Sequence, residues 1–136
     1  MPKINGGVIM NIKKIQKMLR YNSGANEDWM FKSWHKYENH LWFFNGYMMV
    51  AIPKCEEAKI LRFYPEESKQ RINIKKFIPQ DWQDWGSELG EFTFNQEFID
   101  LVDNIWNHWK VEVKIDKYRM IFIHDCEIIA FILGRR

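Results

Sequence analysis

The residues able to do chemistry are few and scattered. The chain has four His and two Cys. His35 and His40 stand five apart, which is not the i, i+4 spacing that sets two imidazoles on one helix face for zinc. His124 and Cys126 are two apart at the end of an apolar run, and a metal there would need ligands from elsewhere in the chain. The same two side chains could act as base and thiolate, yet no nucleophile elbow or oxyanion-forming Gly turn accompanies them. Gly6-Gly7 lacks the Lys-Ser/Thr that completes a phosphate loop. Carboxylates are common, but they fall mainly on expected helix exteriors and loops, where spacing alone pairs none of them. The expectation is a binder with no catalytic residue, metal or cofactor.

Two groups of residues suit binding. Lys13, Lys14, Lys17 and Arg20 make a basic stripe that can contact phosphates or an acidic protein surface; as a solvated helix face they would need no partner. Asp81-Trp82-Gln83-Asp84-Trp85 repeats an Asp-Trp pair. Exposed Trp side chains anchor interfaces, whereas the same rings folded back would cap a core edge. Trp82 and Trp85 join the four basic residues as candidate contacts with a partner or nucleic acid. The net charge of +2 argues against a generally basic nucleic-acid coat and leaves room for a local patch. Cys55 and Cys126 form no C-x-x-C pair and are expected as free thiols in a reducing cytosol. No apolar run approaches the ~18 residues of a membrane span. MPKINGGVIM is too weak for an export signal, so a cytoplasmic location is expected.

The elements that must position these groups follow from periodicity. One domain over residues 1–136 is expected at this length. Its centre is the hairpin NHLWFFNGYMMVAIP, residues 39–53. Asn45-Gly46 suits a two-residue type I′ turn, since both central residues need φ > 0. That turn would set Phe44 opposite Tyr47 and Phe43 opposite Met48. Alternation then puts Leu41, Phe43, Met48, Val50 and Ile52 on one face, and His40, Trp42, Phe44, Tyr47, Met49 and Ala51 on the other. Ile12, Ile15, Met18 and Leu19 recur at helical spacing and predict a helix over 12–21, capped by Asn11. Phe98, Leu101, Val102, Ile105 and Trp109 do the same over 95–109, with Asn95 as N-cap and acidic residues outside. Residues 27–36, 58–64, 72–78 and 91–94 read as strands or extended pieces. Residues 54–57 read as a charged link, 65–70 as a loop, and 80–90 have no usable period. Residues 111–116, 117–124 and 127–133 read as a meander turning at Asp116-Lys117 and Asp125-Cys126. The class is α+β: antiparallel sheet with two amphipathic helices.

An order of elements repeats. Val8-Ile9-Met10-Asn11 and Phe92-Thr93-Phe94-Asn95 are each a short apolar run with an Asn cap, each leading into an amphipathic helix and several strands. The chain reads as two βαβββ-like halves. Such a doubled unit resembles the repeating domain of DNA sliding clamps of the polymerase III β-subunit type. Phe44-Asn45-Gly46-Tyr47-Met48 stands where that family has a polar turn with Gly after the first helix. Lys76-Phe77-Ile78-Pro79 and Phe131-Ile132-Leu133-Gly134-Arg135 are similar to the segment before its second helix and to its closing strand. The resemblance covers about one clamp domain and implies a clamp-like, non-enzymatic module that associates with itself or with replication proteins, through sheet edges and the basic helix. Helix 12–21 fits a DNA-facing role; Glu97, Asp100 and Asp103 on helix 95–109 would repel phosphates. The alternative is a small inhibitor of phage or mobile-element origin, of anti-CRISPR type, blocking a host nucleic-acid enzyme by protein–protein binding.

Overall fold

The computed structural model describes residues 12–20, 33–69, 73–77, 92–116 and 118–135. In chain order the elements are α1 (Ile12–Leu19), β1 (His35–Tyr37), β2 (His40–Phe44), β3 (Met48–Ala51), a 3-10 turn (Lys54–Glu56), α2 (Glu57–Phe63), α3 (Ile74–Phe77), α4 (Gln96–Ile105), β4 (Glu112–Asp116), β5 (Arg119–His124) and β6 (Glu127–Leu133). The class is α+β, as expected. Among the described residues the strands join one antiparallel sheet of six, in the order β1-β2-β3-β6-β5-β4. Among the described elements α1 precedes β1, β2 and β3, α4 precedes β4, β5 and β6, and β3 pairs with β6. The apolar runs expected to open each half fall differently: residues 8–10 and 91 lie outside the described residues, and within 92–94 only Thr93 makes a bridge, to Arg135.

The central hairpin forms with a register different from the expected one. Phe43 pairs with Val50 and Phe44 with Met49, so Asn45 and Met48 close the turn. Of the turn residues Gly46 alone has positive φ, at 94°. Asn45 is fully buried, and its side chain builds the turn. Its Oδ1 accepts from Tyr47 N–H at 2.8 Å and Met48 N–H at 2.9 Å, and its Nδ2 donates to Met18 O at 3.1 Å. Asn45 therefore serves as an Asx acceptor instead of a residue with φ > 0. The shift moves each partner by two residues, so the expected division into faces is unchanged. Both faces are buried, since Trp42, Phe43, Met48, Met49, Val50 and Ala51 are all core. At the β5–β6 hairpin the expected turn is in place: Asp125 and Cys126 both have positive φ, at 51° and 64°, between His124 and Glu127. At β4–β5 Asp116, expected in the turn, is instead the last residue of the strand and pairs with Arg119.

Two expected strands are helices. Residues 58–63 lie in α2 with Tyr64 as its C-cap; the helix buries Ile60 and leaves Leu61 and Phe63 exposed. Ala, Lys, Leu and Arg are good helix formers, and Glu57 in the first turn with Arg62 in the last suits the dipole. The expected charged link at 54–57 is the 3-10 turn that leads in from Pro53. Within 72–78, Ile74–Phe77 is a single helical turn, α3. In the ambiguous stretch 27–36, residues 27–32 lie outside the described residues and His35–Tyr37 is a strand.

α1 covers 12–19 of the expected 12–21, with the expected cap Asn11 outside the described residues, and α4 begins where expected. α1 buries Ile15, Met18 and Leu19. α4 is capped by Asn95, whose side chain accepts from Glu97 N–H and Phe98 N–H, and it buries Phe98, Leu101, Val102 and Ile105. It ends at Ile105, short of 109. Trp106 leaves the helical conformation and donates its buried indole N–H to Ala51 O at 2.8 Å. That hydrogen bond ties the end of α4 to the central strand.

Candidate functional site

α1 and α4 pack against each other, and their polar faces meet over a shared groove. The helical period puts Lys13, Lys14 and Lys17 on the side of α1 opposite Ile15, Met18 and Leu19, and all three are exposed. α4 presents Glu97, Asp100 and Asp103 by the same logic. Lys14 and Lys17 stand on one side of a cavity of about 250 Å³, Glu97 and Asp100 on the other, with Met18, Phe98 and Leu101 supplying its apolar lining. Lys17 Nζ lies 3.2 Å from Glu97 Oε2. Both side chains are more than 60% exposed, so this ion pair contributes at most about 1 kcal/mol. Burial pushes the Asp103 carboxyl up from its ordinary value, and Asp100 beside it pushes the same way.

Arg20 follows α1 and belongs to a different neighbourhood. It is exposed and close enough to Tyr64 to pull that hydroxyl down, as does a hydrogen bond with Gln16. Burial outweighs both and leaves Tyr64 raised. The Tyr64 ring packs edge-on against Phe43 at 5.2 Å, which ties the end of α2 to the hairpin. The structure thus brings Lys14 and Lys17 together at one groove with Lys13 on the same exposed face, and sets Arg20 toward Tyr64. Trp82 and Trp85 lie outside the described residues.

The acidic side of the groove was visible in the sequence as Glu97, Asp100 and Asp103 at three-residue spacing. What the pattern lacked was the pairing of α1 with α4. A second surface escaped the sequence reading because its residues were read as a strand. Phe63 is 55% exposed and Leu61 41% exposed on α2. Phe63 also lines a depression of about 400 Å³ with Ser33, Tyr64, Pro65 and residues 66–69.

His40 and His124 each hold a backbone carbonyl, and the two thiols are free. His40 donates from Nδ1 to Ile52 O at 3.1 Å, with Nε2 3.8 Å from Glu127. His124 donates from Nδ1 to Lys110 O at 3.0 Å. The Trp106 ring lies 6.3 Å from the His40 ring and 5.5 Å from that of His124. Cys55 and Cys126 are exposed free thiols. Among the described residues no group of three or more metal-binding side chains converges, and no helix is long and apolar enough to cross a membrane. Comparison with protein-family models, with curated proteins and with solved structures returns no match.

Proposed function

We propose that this chain is a non-enzymatic, clamp-like binding module of the cytoplasm that acts on replication or other nucleic-acid-processing proteins. The observation that carries this reading is the mixed charge of the α1–α4 groove. A DNA backbone is uniformly negative: it would be drawn to Lys13, Lys14 and Lys17 and repelled by Glu97 and Asp100 a few ångströms away. A protein surface carrying both signs can complement both sides and gain specificity from the pattern. Nucleic-acid contact through α1 is accordingly weak and secondary.

The test is a crosslinking pull-down with the full chain from the native host, comparing wild type with Lys14→Glu/Lys17→Glu and with Asp100→Lys. A partner retained by wild type and lost from both variants is the expected result. In parallel, duplex DNA is titrated at low salt. Tight, salt-sensitive DNA binding that disappears on Lys14→Glu/Lys17→Glu while Asp100→Lys strengthens it would overturn the reading. A second reading, inhibition of a host nucleic-acid enzyme, is favoured by the exposed Leu61 and Phe63 on α2, the aromatic-aliphatic kind of anchor that seats in a partner's pocket. Capture of a nuclease whose activity falls on adding the chain, with the effect lost on Phe63→Asp, would select it.

A further inference from the structure

β1 and β4 end the sheet, and the two edges differ. The outer side of β1 is engaged by the segment after α2: Ser68 N–H donates to Trp34 O at 2.9 Å, and Lys36 N–H donates to Glu67 Oε2 at 3.1 Å. Among the described residues no strand lies outside β4. Glu112, Val113 and Lys114 are exposed, with Val113 at 51%. An end strand with an exposed apolar centre is a site for strand addition, and its side-chain pattern decides what adds.

Hydrogen-bond direction restricts the choice. β4 and β5 close on Asp116 opposite Arg119 with two residues between, which makes that pair hydrogen-bonded. Counting back by twos, Asp116, Lys114 and Glu112 direct their N–H and C=O at β5. Val111, Val113 and Ile115 direct theirs outward. A second β4 running antiparallel about a two-fold axis must set outward groups against outward groups. Well-overlapped registers are therefore centred on residue 112, 113 or 114.

Charge chooses among the three. Centred on 112, Glu112 faces the partner's Glu112, and Lys110 faces the partner's Lys114. Centred on 114, Lys114 faces the partner's Lys114, and Glu112 faces the partner's Asp116. Like charges directly opposite destabilise a strand pair. Centred on 113, Glu112 faces the partner's Lys114 on both sides of the axis, Val113 faces the partner's Val113, and Val111 faces the partner's Ile115. Lys110 then faces the partner's Asp116, an acid already paired with Arg119 within its own chain. One register satisfies hydrogen bonds, apolar contacts and charge together, and the same charges disfavour its two neighbours.

We propose that β4 is a self-recognition edge. A second copy of this chain adds to it antiparallel about Val113, joining two six-stranded sheets in an isologous dimer. A two-fold contact of this kind closes at two copies. It is separate from the α1–α4 groove and stands or falls independently of what binds there.

The test uses the full chain, light scattering after size exclusion and analytical ultracentrifugation from low to high micromolar concentration. Wild type is expected to dimerise, more weakly at high salt. Lys114→Glu and Glu112→Lys each turn two attractive cross-axis pairs into repulsive ones and should each weaken the dimer about tenfold or more. The double swap Glu112→Lys/Lys114→Glu restores opposite pairs and should dimerise again. An equimolar mixture of the two single variants should form a heterodimer. Circular dichroism and thermal melts check that every variant is folded. A wild type that is monomeric through the high-micromolar range overturns the proposal. So does a single variant that dimerises as well as wild type, or a folded double swap that stays monomeric.

Discussion

Asn45 connects the turn of the central hairpin to the end of α1. Its amide gives up no hydrogen-bonding capacity to water: one oxygen accepts two backbone N–H groups, and the nitrogen reaches Met18 O. Removing the amide takes this partner from three backbone groups, the part-buried Tyr47 N–H and the buried Met48 N–H and Met18 O. Asn45→Ala should therefore cost about 2–4 kcal/mol, read from urea denaturation, although a hairpin turn usually tolerates substitution. Asn45→Asp keeps the acceptor, loses the donor and buries a charge, so it should not rescue. Asn-Gly was legible in the sequence as a turn. The shift in register was not, because the partner that draws the amide inward belongs to a helix 27 residues earlier. Asp103 gives a pH-dependent test. Its carboxyl is raised in the fold, so the ionised form is less favourable there than in the unfolded chain. The stability linked to its protonated form is complete below the unfolded value and is lost as pH rises through the folded one. Asp103→Asn should raise the melting temperature at neutral pH, and the gain should vanish below the ordinary carboxylate range.

At the scale of elements, α2 separates local pattern from local propensity. In Ala58–Tyr64 alternation suggests a strand with Ile60 and Arg62 on one side and Leu61 and Phe63 on the other. The helix instead buries Ile60 and exposes both of those residues. Seven residues are too few for periodicity to discriminate, and the good helix formers Glu57, Ala58, Lys59 and Leu61 were the better guide. The two structures predict opposite mutational profiles. With α2 in place, Ile60→Ala should cost about 2–5 kcal/mol, the range for a buried aliphatic. Leu61→Ala and Phe63→Ala should stay within about 0.5 kcal/mol, the range for exposed positions. Denaturation midpoints of the three variants decide the matter, and a large loss at Leu61 would contradict the helix. The longer elements were readable because their patterns ran for two turns or more. α1, α4 and β6 have the apolar spacing, the Asn95 cap and the continuous run of Ile128–Leu133 that a helix stripe or a doubly buried strand requires.

Over the whole molecule, the joining of β1–β3 to β4–β6 in one sheet could not be read from local pattern. β3 and β6 pair across about 80 residues, Met49 with Phe131 and Val50 with Ala130, and nothing in either strand names the other. What the pattern does contain is burial: both strands are apolar on both faces, which requires neighbours on both sides and a place at the centre of the sheet. β4 is the contrast. Its charges alternate with apolar residues, as an edge strand's should, and the alternation gives the edge a direction. That direction can be measured amide by amide. In the dilute chain, Val113 and Ile115 N–H point away from β5 and should exchange rapidly, while Lys114 and Asp116 N–H, directed at β5, should exchange slowly. Raising the concentration should slow Val113 and Ile115 selectively, because strand addition occupies only the outward set. Nuclear magnetic resonance exchange at two concentrations reads both effects in one experiment. Uniform protection along β4 at either concentration would mean that its hydrogen bonds do not alternate, and the register argument built on them would fail.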